Sequence, residues 1–203
     1  MLGLIFHKRL FHILGIVVVL IVSCNDASYE LDNPFDPENL GLEPPTIFFY
    51  FPDFESGKGN SDGITEIDLS VDSTSSVELY CYEVDSAAGA HLQIAFDSEV
   101  IKITDVKIGE FFKNYDFVEY PEPIWFDDLD QQEEGFLNVY LFYRPSLTST
   151  FASGTGAMVE VIFTVEDEGL APLVYTEQTV FRNLDNNTII LNTFGEGSIN
   201  ATQ

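Results

Sequence analysis

From Thr46 onward, apolar and polar residues alternate along the chain with a period of two. Ile67, Leu69 and Val71 alternate with Glu66, Asp68 and Ser70. Ala90, Leu92, Ile94 and Phe96 alternate with His91, Gln93, Ala95 and Asp97. Leu137, Val139, Leu141 and Tyr143 alternate with Phe136, Asn138, Tyr140 and Phe142. Val159, Val161, Phe163 and Val165 do the same with Met158, Glu160, Ile162 and Thr164. Successive side chains of a strand point to opposite faces, so each run predicts a strand with one face in a core. Further strands are predicted at 46–51, 77–84, 101–108, 172–181, 188–193 and 197–202, and no stretch carries the pattern of a long helix. About nine or ten short strands, parted by Gly, Asp, Ser and Pro turns, predict an all-β domain over 46–203. Their natural packing is a two-sheet antiparallel sandwich.

Two stretches break the rhythm. Residues 110–135 hold Tyr115, Tyr120, Trp125 and Phe126, then Asp127, Asp128, Asp130, Glu133 and Glu134. They read as a long connection, the kind of segment that often carries function. Residues 24–45 read as a tether: Asn25 to Ser28 is polar, Asn33 to Asn39 sets prolines among turn formers, and Pro44-Pro45 closes it. Fully extended, such a segment reaches about 70 Å.

Residues 1–23 read as a targeting segment. Lys8 and Arg9 precede an apolar run from Leu10 to Val22, broken only by His12 and Gly15. The run is short for a membrane span, which takes about 20 apolar residues, and Ser23 supplies the small residue a signal peptidase needs. Ile21-Val22-Ser23-Cys24 resembles the lipobox of bacterial lipoproteins. That resemblance implies cleavage before Cys24, attachment of lipid to its sulfur, and a protein anchored to the cell envelope. Asn25 stands where an aspartate is associated with inner-membrane retention, which points to the outer membrane.

Charge narrows the partners. The chain carries 34 acidic against 8 basic side chains, a formal net charge of −26, and two of those basic residues lie in the leader. Such a body repels phosphate backbones and anionic lipid heads, so it neither binds nucleic acid nor docks electrostatically on a membrane. Membrane attachment therefore falls to the lipid, and to more than one acyl chain, since one alone holds weakly. Hydrophobic content of 45% and aromatic content of 14% are those of a chain that folds. With Cys24 consumed by lipid, Cys81 has no partner for an internal disulfide and is expected to be a small buried hydrophobe.

Catalytic chemistry finds little to work with. His91 is the one histidine after the leader, and alternation puts it on the face opposite Leu92 and Ile94. A Ser-His-Asp hydrolase needs that histidine beside a serine on a sharp turn, and no Gly-x-Ser-x-Gly elbow occurs. One histidine and one buried cysteine fall short of a zinc site, and no Gly-rich phosphate loop follows a strand. The expectation is a protein that is not an enzyme and has no cofactor, with calcium as the one ion to consider. Asp127, Asp128 and Asp130 are the calcium candidates. They do not form an EF-type loop, because counting from Asp128 puts Glu133 at the glycine position and Val139 at the closing glutamate. Sugar binding would use Tyr115, Tyr120 and Trp125, with Phe126 beside them. The competing reading is that Trp125 and Phe126 cap one end of the core.

Several strands, in order, resemble a cohesin module. Asp85 to Asp97, from Asp85-Ser86-Ala87-Ala88-Gly89 to Ala95-Phe96-Asp97, resembles its early strand, a small residue leading an alternation that ends in aromatic-Asp. Ser98 to Val106 is similar to the strand that follows, and Ile108-Gly109-Glu110-Phe111-Phe112 to a glycine-acid turn after it. Leu137 to Tyr143 occupies the place of the mid-chain strand. Ser153 to Val165 resembles the glycine-led penultimate region, and Gly195-Glu196-Gly197-Ser198-Ile199-Asn200-Ala201 the closing strand.

The resemblance implies a nine-stranded jelly roll that receives calcium-loaded dockerin modules in assemblies that degrade polysaccharides. In the best-known cohesins, an Asn and an Asp on the strand matching 89–97 hydrogen-bond the dockerin. Here those positions hold Gly89 and His91, so the expected partner surface is Gly89, His91 and Gln93, with altered contacts. The sequence therefore predicts a non-catalytic, lipid-anchored module that holds a protein partner. A carbohydrate-binding lipoprotein and a structural envelope protein are the alternatives.

Overall fold

The structure is a computed structural model that describes residues 37–52, 57–59, 62–113, 124–129, 135–143 and 150–203. Two sheets face each other. The smaller contains β1 (Thr46–Tyr50), β4 (Thr74–Ala87), β6 (Ile101–Ile108), β9 (Ala152–Val165) and β13 (Thr193–Phe194), in the order β13-β1-β4-β9-β6. The larger contains β2 (Gly57–Gly59), β3 (Ile64–Ser70), β5 (Gly89–Ala95), β10 (Gly169–Tyr175), β11 (Val180–Arg182), β12 (Thr188–Ile189) and β14 (Glu196–Thr202). Its main path runs β12-β11-β5-β10-β14-β3-β2. Beside β5 lies β8 (Phe136–Phe142), and beside β8 lies β7 (Ile124–Asp127).

This is the predicted all-β sandwich. Most pairings are antiparallel, but β1 runs parallel to β13 and β14 parallel to β3. Alternation reveals which face of a strand is buried, not the direction of its neighbour. Among the described residues the strands number fourteen, because the predicted runs 172–181 and 188–193 each divide in two, while β2 and β7 are additional short strands.

The inward faces follow the alternation. Leu92 and Ile94 of β5, Leu137, Val139 and Leu141 of β8, and Val159, Val161, Phe163 and Val165 of β9 are all buried. Facing the residues of β5 and β8, Ile47, Phe49 and Phe51 project from the same sheet as β9, and Phe49 stacks on Tyr175 across the gap at 4.4 Å. The Tyr175 hydroxyl donates to Phe48 O and the Thr65 hydroxyl to Phe49 O, so these buried polar groups tie one sheet to the other. Cys81 is buried in this core.

β4 keeps its apolar side chains inside by bending its own period. Val77, Leu79, Cys81, Val84 and Ala87 are buried at spacings of two, two, three and three. Register shifts against β9 occur between Cys81 and Val84 and between Val84 and Ala87. The extra residues Glu83 and Ser86 sit at φ 52° and 58°, the left-handed backbone of residues inserted in a bulge.

A second, smaller cluster lies outside the smaller sheet. Leu40 and Leu42 pack on Phe48, with Tyr50, Tyr80 and Tyr82 around them. These leucines belong to the stretch expected as a tether, and Leu40 is fully buried. Such burial of a leucine contributes about 1.5–3 kcal/mol. Hydrogen bonds hold residues 43–45 as well: Asn192 N donates to Pro45 O and Glu43 N to Thr193 Oγ1. From at least residue 37, the chain is therefore part of the folded body.

The glycine-acid turn also has a physical reason. A side chain on Gly109 would place its Cβ 2.2 Å from Ala157 O, so only glycine lets β6 leave β9 at this point.

Candidate partner-binding face

The outer face of the larger sheet carries the residues singled out in the sequence. Gly89, His91 and Gln93 lie along β5 with β8 antiparallel beside them, and the register sets Gly89 against Phe142, His91 against Tyr140 and Gln93 against Asn138. On the far side of β8, Phe126 of β7 lies against Tyr140. Gly89 is packed so closely that a Cβ there would lie 3.0 Å from Leu141 O and 3.1 Å from Phe142 Cβ. It contributes the approach of two strands rather than a contact group.

Three rings form a ladder across these strands. His91 stacks on Tyr140 with centroids 4.3 Å apart and planes 4° from parallel. Tyr140 stacks on Phe126 with centroids 4.6 Å apart and planes 19° from parallel. Those spacings are close to the separation of neighbouring strands, so the rings stand upright on the sheet. Tyr140 has both faces covered, and the ladder turns its edges outward. Phe126 is 50% exposed and Phe142, edge-on to it, is 37% exposed.

The ladder borders a groove of about 640 Å³ between β8 and the turn after β11, where Leu184 is exposed. Arg182 is the one Lys or Arg among the described residues that line the groove, and its Nη1 donates to Asn186 O at 3.1 Å.

Beside the ladder is a saturated polar network. Gln93 Nε2 donates to Asn138 Oδ1 at 2.8 Å and to Gln178 Oε1 at 3.4 Å, while Gln93 Oε1 accepts from Thr176 Oγ1 at 2.5 Å. Asn138 Oδ1 also lies 2.8 Å from His91 Nε2. Asp128 accepts from both the backbone and the side-chain nitrogen of Asn138, at 2.7 and 2.6 Å.

The other candidates are placed as follows. Trp125 alternates inward from Phe126 and packs against the main core. Asp127 Oδ1 accepts from Leu129 N at 3.3 Å, and the Asp128 carboxylate is engaged by Asn138. Among the described residues, no group of three or more His, Cys, Asp or Glu is placed to hold a metal ion. Cys24, Tyr115, Tyr120 and Asp130 lie outside the described residues. Sequence reasoning did not single out Asn138, Tyr140 or Thr176. Its only signal for them was that Asn138 and Tyr140 fall on the outward phase of β8.

The cohesin domain family profile matches residues 63–201. The chain belongs to the cohesin family. Solved cohesins share its fold at low identity. A non-cellulosomal cohesin from the archaeon Archaeoglobus fulgidus is 17% identical with a TM-score of 0.53, over 69% of this chain and 89% of that one. A type I cohesin–dockerin complex from Clostridium thermocellum matches at 14% identity and a TM-score of 0.56, over 77% and 99%. A type II cohesin domain from the cellulosome of Acetivibrio cellulolyticus matches at 17% identity and a TM-score of 0.55, over 76% and 94%. No curated protein sequence matches the chain. In this cohesin the face built on β5 and β8 presents a stacked ladder and a groove.

Proposed function

We propose that this cohesin is a non-catalytic binding module, held at the cell envelope by lipid on Cys24, that receives a dockerin-like protein partner on the β7-β8-β5 face. The ring ladder is the observation that carries this reading. A saccharide ring stacks on an exposed aromatic face, whereas here the faces of Tyr140 are occupied by His91 and Phe126. Upright edges over an adjoining apolar groove suit the side chains of a protein surface, which also enriches aromatic and Arg residues at its contacts. The complex from Clostridium thermocellum, a cohesin bound to a dockerin, supports the choice of partner class.

The outer membrane is the proposed site of the anchor, from the lipobox-like residues and Asn25. The reading places the protein among assemblies that process polysaccharides, through the partner and not through its own chemistry.

The test is calorimetry of the protein against a panel of recombinant dockerin modules, in calcium and in chelator, with soluble oligosaccharides in parallel. Calcium-dependent binding of a dockerin, weakened by changes at Phe126 or Tyr140, supports the proposal. Binding of oligosaccharide alone overturns it. Fractionation checks the anchor: the chain should leave the membrane fraction on Cys24→Ala.

A further inference from the structure

Hydrogen-bond direction in the network beside the ladder is set by one group. An ionised Asp128 carboxylate only accepts, so the Asn138 side-chain atom 2.6 Å from its Oδ2 is the amide nitrogen. The Asn138 oxygen is thereby turned toward β5, where it lies 2.8 Å from Gln93 Nε2 and 2.8 Å from His91 Nε2. An amide oxygen only accepts, so His91 Nε2 carries a proton, and in the neutral ring Nδ1 is then left with its lone pair.

We infer that the Asp128–Asn138 pair fixes His91 as its Nε2–H tautomer and so makes His91 Nδ1 a hydrogen-bond acceptor on the partner-binding face. Two observations keep the ring in that state. Tyr140 stacks flat on it and prevents a flip without unstacking. The Asn138 backbone N–H, held by Asp128 Oδ1 at 2.7 Å, stops the amide side chain from following the carboxylate elsewhere. Nδ1 has no partner among the described residues. Gln93 differs from His91 in this respect, because its nitrogen and oxygen are already engaged by Asn138, Gln178 and Thr176.

His91 is then the residue that determines specificity, and Asp128 and Asn138 are positioning residues that act through it. Resting on the proposed use of this face, the partner must bring a hydrogen-bond donor to Nδ1. A carboxylate or carbonyl there meets a lone pair and is rejected. The sequence hides this device because Asp128, the residue just after β7, meets Asn138 of β8 only through the β7–β8 pairing.

The tautomer can be read without any partner, so its failure is distinct from failure of the binding proposal. The full chain is labelled with ¹⁵N-histidine, and two-bond ¹H–¹⁵N correlations are recorded in mildly alkaline buffer. His91→Gln assigns the His91 signals by their loss. The expected wild-type pattern is a protonated, pyrrole-type Nε2 and an unprotonated, pyridine-type Nδ1. Asp128→Ala and Asn138→Ala should each move both nitrogens toward averaged shifts as the tautomer preference is lost. An Nδ1–H pattern in the wild type, or an unchanged pattern in both variants, overturns the inference. The wild-type spectrum decides the tautomer even where a variant unfolds.

Discussion

Tyr140 lies flat against His91, with ring centroids 4.3 Å apart and planes 4° from parallel, and Phe126 covers its opposite face. Aromatic pairs of this kind are worth about 0.5–1.5 kcal/mol beyond their buried area. The ladder is therefore stiff before any partner arrives, and its contact surface needs little ordering on binding. Phe126 is its most exposed rung. Phe126→Ala should weaken binding of a protein partner about tenfold or more, as aromatic hot spots do. The melting temperature should fall by only about 2–6 °C, because one stacked pair is lost but half of the side chain is already in solvent. Calorimetry and a thermal melt on the same sample check both halves of this expectation.

Glu78 and Glu160 face each other across β4 and β9. Burial, and after it the Glu160 carboxylate, raises Glu78 above the usual carboxylate value. Lys107 lies 3.5 Å from Glu160 and relieves that partner. An acid raised in the folded state favours folding below its unfolded value, and that contribution is lost as pH rises through the folded one. Glu78→Gln should therefore raise the melting temperature at neutral pH by about 1–3 °C. The gain should vanish in acid, where Glu78 is itself protonated. Melts at a series of pH values would show a constant gain if the charge pair were irrelevant.

Cys81 is sealed in the core, and burial pushes its thiol up to about 12. Its Sγ–H donates to Gly156 O at 3.4 Å. The thiolate is the nucleophile, so iodoacetamide should leave Cys81 unmodified in the native protein and should alkylate it in denaturant. Burial likewise pushes Tyr143 up to about 12. Both acids are held protonated in the fold, so the stability they support is complete below their ordinary values. It is lost as pH climbs from about 9, the ordinary thiol value, toward about 12. An alkaline unfolding transition in that window, followed by tyrosinate absorbance, checks the sign.

Leu40 tests where the folded body starts. Leu40→Ala should lower the free energy of unfolding by about 2–5 kcal/mol, the usual cost of hollowing a buried leucine site. A change within about 0.5 kcal/mol in urea denaturation, typical of an exposed residue, would return this stretch to the tether.

What could be read from the sequence was governed by the reach of its periodicity. Alternation placed the inward residues of β5, β8 and β9 and put His91 and Gln93 on the outer face, since it needs only local order. β7 was read as part of a long connection because four residues beside an acidic run are too short to display a period. Leu40 and Leu42 were passed over among prolines and turn formers, although Phe48, the residue they cover, sits in a strand that was predicted. The end of β4 beyond Val84 is hidden because its bulges break the period at Glu83 and Ser86. The lock on His91 was out of reach for a different reason. Asp128, Asn138 and His91 come together only through cross-strand register, and no single strand records that.

The parallel pairing of β14 with β3 sets the order in which the molecule can be completed. β14 lies between β10 and β3, so the β3–β2 ribbon has no neighbour in its sheet until residues 196–202 are available. A nascent chain can form β4 with β9 and β5 with β8 early, yet Ile67 lacks its neighbour Ile199, and Phe49 the backbone at Gly197, until synthesis reaches that strand. Closure of the sandwich is thus a late and non-local event, of the kind that makes β-rich domains slow to fold. The last strand of the domain in chain order is the one that joins the larger sheet into a single piece.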